Sequence, residues 1–413
     1  MSGRIVLIAA AVAAAVLVTD ARAATRAVRT ETGFQRVVAQ MRSSGGTIVL
    51  RGGVYGKLTI GPRRGRWLTI RARPLATVRS LSLLRASRVR IVGLRVRPAG
   101  GLPGLLSVTG SSRVTLDGLR VSAAGTELSA RLRLRVSDRV LVRRGRFAYC
   151  GERVTCILTG RSSRVWVVAS TFRDCLGCDF IRGHIGEGFV VRGSTFDRAV
   201  PGPCGTAWEC NHQDAIQVQS GRNLLIAGNR FGLVHVGAGQ IYASGPIDGL
   251  TIRNNVFLGR DVAYPDVDGW AGIVIGHHGS DAVVPQSVRI IHNTVLTGAT
   301  RPDGITNSVF MTPKLLELPV EERPVMANNV LGIVGTPERL CTLLGVSSRN
   351  VVREGVGCSE ADAVADPGLD ERGEPLEGSI VVDQGDPAWA WHVDLRGRPR
   401  DDLPDIGAFE LPR

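Results

Sequence analysis

The sequence has almost no lysine and few aromatic side chains, which make up 5% of its 413 residues. Only Lys57 and Lys314 are lysines, so arginine supplies the rest of the 51 basic side chains behind a net charge of +14. No helix-turn-helix, zinc-finger or RNA-binding signature accompanies these arginines, which argues against nucleic acid as the partner. Guanidinium pairs in a forked geometry with carboxylate, so an anionic polymer outside the cell is the better match. A solvated surface without a partner explains the composition equally well.

Long apolar runs are also missing after the N-terminus, where no stretch reaches the roughly 18 residues of a membrane-spanning helix. Residues 1–23 have the form of a signal peptide. Arg4 precedes an apolar run, and Ala21-Arg22-Ala23 has the small-x-small form of a cleavage site. We therefore expect a monomeric protein that is secreted to the extracellular space or the cell envelope, without stable membrane insertion. An uncleaved anchor is the alternative.

The eight cysteines fit an oxidising compartment and lie in local pairs along the chain. The Cys-Leu-Gly-Cys stretch at 175–178 also has the form of redox or zinc motifs, but a second such motif is missing. The disulfides that the spacing predicts are Cys150 with Cys156, Cys175 with Cys178, Cys204 with Cys210, and Cys341 with Cys358.

Helical periodicity is almost absent, and a short repeat takes its place. The pattern is an apolar residue, four residues and a second apolar residue, as in Ile226–Phe231, and it recurs at a period near 25 with insertions. A second apolar position precedes the closing residue by about 15, as Ile216 precedes Phe231. Short strands at fixed offsets, separated by Gly, Ser and Asn turns, predict an all-β fold, a parallel β-helix of nine to eleven coils. Asn229, Asn255 and Asn329 stand at equivalent turns, where we expect asparagine bonds along a ladder between coils.

The ends of the repeat predict how the solenoid is covered. Phe34, Val37, Val38 and Met41 share one helical face before Gly45-Gly46, which predicts a capping helix at the first coil. The period is lost near residue 336, and Pro, Gly and Asp accumulate from there onward. The expected organisation is a signal peptide (1–23), a parallel β-helix with an N-terminal cap (24–335) and a C-terminal capping segment (336–413).

Two stretches resemble a known family. "GGTIVLRGGVY" is similar to the first strand of secreted bacterial right-handed parallel β-helix proteins of the pectate-lyase-like superfamily, and "NHQDAIQ" resembles a motif of its members. The C-terminal "DPGLD" and "DLRGRPRDDLPDIGAFE" resemble segments attached to such proteins. The resemblance covers roughly residues 31–335 and implies the right-handed fold. The N-T-D, D-D, G-H-G and R-I-K set of the family's pectin hydrolases is absent.

Aligned strands place candidate site residues on one outward surface. If Ile157, Ile181, Ile216, Ile241 and Ile273 form an inward column, alternation puts polar side chains outward on adjacent coils about 4.8 Å apart. The patch expected in this way consists of Arg182, His184, Gln217, Gln219, Tyr242 and Ser244. The insertions at 197–213, 258–286 and 299–324 would wall this patch, and they bring His212 and His277 to its edge.

Asp179 and Asp214 begin equivalent strands and should therefore stack. Paired carboxylates suit a glycosidase, while oxygen ligands on neighbouring coils suit Ca²⁺, the one cofactor that the sequence suggests. A structural role, in which both accept backbone hydrogen bonds, is the third alternative.

The sequence is compatible with three functions. A lyase of uronate-containing polysaccharide needs a cation, a base and an acid, and Arg182, His184 or His212, and Tyr242 are the candidates. Gln217, Gln219, Ser244 and His277 would then bind substrate. A glycoside hydrolase and a non-catalytic polysaccharide-binding or cell-envelope structural protein are the alternatives.

Overall fold

A computed structural model describes residues 24–74, 76–152, 154–200, 214–232, 239–258, 271–276, 283–296, 308–336 and 340–412. The predicted signal peptide therefore lies outside the described residues. Within these ranges the chain forms one helix, α1 (Glu31–Gln40), and short 3-10 helices at Pro313–Glu317, Val320–Glu322, Cys341–Leu343 and Pro387–Trp389. The strands of this part are β1 (Thr25–Val28), β2 (Gly46–Leu50), β3 (Gly53–Ile60), β4 (Leu68–Ala72), β5 (Ala76–Leu84), β6 (Ser87–Val92), β7 (Arg95–Val96), β8 (Gly104–Thr109), β9 (Ser112–Asp117), β10 (Arg120–Ser122), β11 (Ala130–Arg135), β12 (Asp138–Arg143), β13 (Arg146–Ala148), β14 (Ile157–Val168), β15 (Thr171–Leu176), β16 (Ile181–Glu187), β17 (Phe189–Arg192), β18 (Thr195–Val200), β19 (Ile216–Ala227), β20 (Arg230–Phe231), β21 (Gly239–Ala243), β22 (Ile247–Arg253), β23 (Val256–Phe257), β24 (Ala271–Ile275), β25 (Gln286–Ile291), β26 (Thr294–Val295), β27 (Val309–Met311), β28 (Val325–Ala327), β29 (Val330–Val334), β30 (Val346–Ser348), β31 (Val351–Gly355) and β32 (Ala363–Val364).

Each strand pairs in parallel with the equivalent strand of the next coil, so the chain winds into a right-handed parallel β-helix of about eleven turns. Three sheets run along it. The first sheet begins with β1, β2 and β4, the second with the start of β3 and of β5, and the third with the end of β3 and of β5. The third sheet continues through β8, β11, β14, β16, β19, β21, β24 and β27. The predicted fold class is confirmed.

Inward columns of apolar side chains form the core. The predicted column Ile157, Ile181, Ile216, Ile241 and Ile273 is in register and buried. The second sheet contributes a stack of phenylalanines with ring centroids 4.5–5.0 Å apart, comprising Phe147, Phe172, Phe196, Phe231 and Phe257. Burial of one aliphatic side chain contributes roughly 1.5–3 kcal/mol, so these columns supply most of the driving force for coil stacking.

A buried asparagine ladder joins the turns between the first and second sheets. Each amide oxygen accepts the backbone N–H of the preceding coil, and the amide nitrogen donates to a backbone carbonyl. The predicted ladder is confirmed and extends to two further residues, so that its members are Asn229, Asn255, Asn293, Asn329 and Asn350. Ser194 and Ser170 continue it upstream. The ladder satisfies turn N–H groups that would otherwise be buried without partners.

Helix α1 covers the first coil, as the sequence predicts. The Thr30 side chain accepts the N–H of Gly33 at 3.0 Å, and Phe34 and Met41 are buried against the core. The Glu31 carboxylate accepts the N–H of Gly56, which ties the helix to β3. This arrangement caps the apolar interior at the N-terminal end of the solenoid.

The disulfide predictions are confirmed for three pairs: Cys150 with Cys156, Cys175 with Cys178, and Cys341 with Cys358. The fourth pair, Cys204 with Cys210, lies outside the described residues. Each described pair closes a short loop.

The β-helix continues beyond residue 335, where the period led us to expect its end. Strands β30, β31 and β32 add pairings to the first and second sheets as far as Val364. The following segment lies along the side of the coils, where Phe409 belongs to one apolar cluster with Val256 and Ile406 belongs to another with Val330. The ion pair between Arg400 and Glu410, at 2.8 Å, is buried within it. None of the helices in the described ranges has the length and apolarity needed to span a membrane.

Candidate functional site

The outward column of the third sheet has the register that the sequence predicts. Arg182 pairs with Leu158 on the preceding coil and with Gln217 on the next, and Gln217 pairs with Tyr242. Tyr242 in turn pairs with Val274. Side chains distant in the sequence therefore line up on one wall.

The second outward column departs from the expected alternation. Gly160 pairs with His184, but a bulge shifts the register on β19, so His184 pairs with Ser220 instead of standing beside Gln219. The Ser220 hydroxyl lies 3.5 Å from His184 Nδ1. The alternation that would place Gln219 beside His184 is wrong at this position, because Gln219 is the extra residue of the bulge.

The side chains of the patch differ in solvent exposure between the earlier coil, which carries Arg182 and His184, and the later coils. Both of these side chains are exposed, whereas Gln217, Tyr242 and Ser244 are only 5%, 4% and 8% exposed. Tyr242 packs with Ala271, Val274 and Phe310 in an apolar cluster on the outside of the third sheet. The expectation that the whole patch faces solvent is therefore wrong for these three, since the outer face of these later coils is covered.

Asp179 and Asp214 stack at the start of adjacent strands and are both buried. Asp179 Oδ1 accepts the N–H of Asp214 at 2.9 Å, and Asp214 Oδ1 accepts the N–H of Gly239 at 3.0 Å. Asp179 Oδ2 lies 3.6 Å from the guanidinium of Arg182. The pair thus acts as a ladder at the corner between the second and third sheets, which is the structural alternative named above.

Burial dominates the electrostatics of this pair. It raises the pKa of Asp179 to about 6, against the opposing effects of the Asp214 N–H and Arg182. Burial, followed by the neighbouring Asp179 carboxyl, raises the pKa of Asp214 well above its ordinary value. Two carboxyls this close and this deep cannot both ionise at low cost.

The carboxyl pair does not fit the Ca²⁺ ion that the sequence suggested. Calcium takes six to eight oxygen ligands, usually from ionised carboxylates. Here one oxygen of each carboxyl already accepts a backbone hydrogen bond, and burial opposes ionisation. No group of three or more His, Cys, Asp or Glu side chains that could hold a metal occurs in the described ranges.

Two further candidates, His212 and His277, lie outside the described residues, in the segments 201–213 and 277–282. In the sequence, the first segment is followed by β19 and the second follows β24, and both strands belong to the third sheet. Their roles as base and substrate ligand stay predictions.

Sequence reasoning missed three arginines on β11. Arg133 precedes Leu158 and Arg182 in the first outward column, and Arg135 precedes Gly160 and His184 in the second. Arg131 is half-buried on the same strand, and burial followed by the charge of Arg133 lowers its pKa. The same alternation, started one coil earlier at Leu132, would have found all three.

The resulting surface combines cations with an exposed imidazole. It can pair with carboxylates along a polymer and place a histidine beside one of them. The site is therefore basic in its described part.

Comparison with solved structures supports the fold. No protein-family model and no curated protein matches the chain. A crystal structure of the pectate lyase Pel9A matches with a TM-score of 0.50 and 13% identity, over 94% of this chain and 98% of that one. The surface adhesin PfbA of Streptococcus pneumoniae matches at 0.48 and 10%, over 78% and 86%, and a PL6 alginate lyase in complex with a trisaccharide at 0.39 and 13%, over 91% and 95%. The match to Pel9A thus shows that the chain shares its right-handed parallel β-helix fold.

Proposed function

We propose that this protein is a secreted lyase that cleaves a uronate-containing polysaccharide by β-elimination. The observation that carries the proposal is the exposed pair Arg182 and His184 on β16. The pair stands in the same two outward columns as Arg133 and Arg135 of β11, with Leu158 and Gly160 on the coil between them. The name of the pectate lyase among the similar structures supports a uronate polymer as the substrate class.

The reaction needs three events at one sugar. A cation neutralises the carboxylate, a base removes the proton from the adjacent carbon, and that electron pair forms a C=C bond as the C–O glycosidic bond breaks. The leaving oxygen takes up a proton. No net oxidation occurs, and the product ends in an unsaturated sugar.

The two exposed residues suit the first two events. Arg182 would bind the carboxylate through its fork, and His184, two residues further on the same strand, would take the proton. Histidine suits a base near neutral pH because its ordinary pKa is about 6.5. The Ser220 hydroxyl beside His184 Nδ1 would orient the ring.

The proton for the leaving oxygen has a less direct source. Tyr242 was the predicted acid, but its side chain packs inside the outer apolar cluster. His184 itself can return the proton that it has taken, while His212 stays the alternative base that the sequence predicts.

The test is turnover of pectate and alginate, followed by the ultraviolet absorbance of the unsaturated product. The His184→Ala variant should lose about 10²- to 10⁴-fold in kcat with an unchanged melting temperature. His392→Ala, at an exposed histidine of the C-terminal segment, is the matched control and should keep full activity.

Arg182 provides a second arm of the test. Arg182→Lys keeps the charge but loses the planar guanidinium that donates two hydrogen bonds to one carboxylate, so we expect a raised KM with part of kcat retained. Arg182→Ala loses the charge as well, so we expect both a raised KM and a much lower kcat. New reducing ends without absorbance would show a hydrolase instead. Retention of polymer without any turnover would show a binding protein.

A further inference from the structure

The positive charge of the chain is concentrated in the N-terminal coils. Residues 51–149 contain 21 arginines and one lysine against three acidic residues, whereas residues 150–413 contain 23 basic and 32 acidic residues. The net charge of +14 therefore belongs to one end of the solenoid. A composition set by codon usage alone would spread arginine along the whole chain without this imbalance.

Three of these arginines, together with Arg164 on the next coil, stand in one line at the corner where the chain passes from the third sheet to the first. The residue before each arginine pairs in register with its equivalent on the next coil: Ser87 with Ser112, Ser112 with Asp138, and Asp138 with Ser163. The arginines therefore occupy equivalent positions on consecutive coils. We call this the arginine row, and its members are Arg88, Arg113, Arg139 and Arg164. Adjacent coils lie about 4.8 Å apart, so the row spans about 14 Å.

The backbone of the arginine row is in the left-handed region. The φ angles are 56°, 53°, 53° and 51° for Arg88, Arg113, Arg139 and Arg164. This conformation costs an ordinary L-residue roughly 1–2 kcal/mol, and glycine or asparagine avoids most of that cost. Later coils carry such residues at the same position, namely Gly188, Asn223 and Gly249. The fold therefore accepts smaller residues here, and the arginines are not needed to form the turn.

Few acidic groups balance the row. Asp138 is the neighbour of two members: its carboxylate lies 2.6 Å from Arg164 Nε and 3.8 Å from Arg139 Nε. The side chains of Arg139 and Arg164 are nevertheless 44% and 47% exposed, and Arg113 is exposed. Asp117, another nearby acid, is buried and binds Arg143 and Arg144 instead. Arg88 is half-buried and donates to the Gly65 carbonyl at 3.2 Å, so exposed guanidinium groups face solvent at three of the four positions.

We propose that the arginine row, together with Arg131, Arg133 and Arg135 on the adjoining third sheet, binds a linear anionic polysaccharide along the axis of the solenoid. The evenly spaced, forked cations of this surface match a polymer that carries a carboxylate at regular intervals. The proposal rests on the proposed function for the class of polymer. It adds the arginine row as a binding surface upstream of the site on β16, and the row takes no part in bond cleavage.

The test is the affinity of labelled polygalacturonate and alginate oligomers, measured by fluorescence anisotropy at several salt concentrations. The variant Arg88→Asn, Arg113→Asn and Arg139→Asn introduces a residue that the same position tolerates at Asn223, so it should fold. We expect Kd to rise about ten-fold or more at low salt, with a weaker salt dependence.

The control removes the same charge elsewhere: Arg349→Asn, also at a positive φ, with Arg353→Gln and Arg372→Gln in the C-terminal coils and tail. It should bind almost as the wild type does. Equal losses in both triple variants, or no loss in the row variant, would overturn the proposal. So would tighter, row-dependent binding of duplex DNA or of anionic lipid vesicles than of either polysaccharide.

All binding is measured in the His184→Ala background, so it does not depend on turnover. Row-dependent binding without any unsaturated product from the wild type would refute the proposed lyase activity and support the arginine row as a binding surface. Product formation by the wild type together with unchanged binding in the row variant would refute the arginine row as a binding surface and support the proposed lyase activity.

Discussion

Single residues of this protein act mainly through their place in a ladder. Asp179 illustrates the point, since its carboxyl caps the next coil through the N–H of Asp214 while it also faces Arg182. The same position thus connects a structural hydrogen bond to the candidate site. We expect Asp179 to position Arg182 and not to contact the substrate.

Stability should fall as the pH rises through the titration of this pair. A carboxyl whose folded-state pKa is raised contributes most below its ordinary pKa of 3.8, and for Asp179 this contribution is lost as the pH passes about 6. Asp179→Asn removes that titration while its amide oxygen can still accept the Asp214 N–H. We expect the variant to gain about 1–3 kcal/mol at pH 8 and to lose much of the pH dependence between 4 and 6.

Thermal unfolding between pH 4 and pH 8 measures both effects, with Asp248→Asn at an exposed position as the control. An unaltered pH profile in Asp179→Asn would contradict the assignment. Activity provides a separate readout, because loss of the carboxyl that holds Arg182 should raise KM more than it lowers kcat.

Individual elements of the fold follow from repetition, so the sequence predicts them well. The period near 25 predicts the register of the inward columns, and Asn229 and Asn255 predict the ladder. The bulge at Gln219 could not be predicted, because one extra residue leaves the apolar pattern on both sides intact. The burial of Tyr242 could not be predicted either, since it depends on what packs against the outside of the coil.

The asparagine ladder permits a graded prediction at this scale. Asn255 accepts the N–H of Asn229 and donates to the carbonyl of Ile226, and it is fully buried. Asn255→Ala leaves these groups unpaired and should destabilise the protein by about 2–5 kcal/mol in denaturant unfolding. Asn255→Ser should cost less, because Ser170 and Ser194 hold the same position upstream. Equal costs for both variants would argue that packing, and not hydrogen bonding, explains the residue.

The whole molecule is held together by its C-terminal segment as well as by its coils. Residues 365–412 lie beside the turns that carry the asparagine ladder, and Asn328 binds both Asp386 and Gly407. The sequence marks this segment as a cover through its loss of period. It does not reveal that the cover lies along the side, since the contact with Val256 and Val330 joins residues far apart in the chain.

Loss of one anchor should release this segment locally. Phe409 is 1% exposed against Val256, so Phe409→Ala should cost about 3–5 kcal/mol. Limited proteolysis should then cut within residues 365–412 while the coils stay intact. Leu403→Ala, at an exposed leucine, is the control and should resist the protease as the wild type does. Simultaneous digestion of coils and tail would show that the two unfold as one unit.

The segregation of charge along the solenoid gives the molecule a permanent electric dipole moment with its positive pole at the N-terminal coils. In the field of a polyanionic matrix such a rod experiences a torque before it makes any contact. We expect its positive end to approach the matrix first, because long-range electrostatic attraction orients the molecule before contact. This orientation should be lost when added salt screens the field.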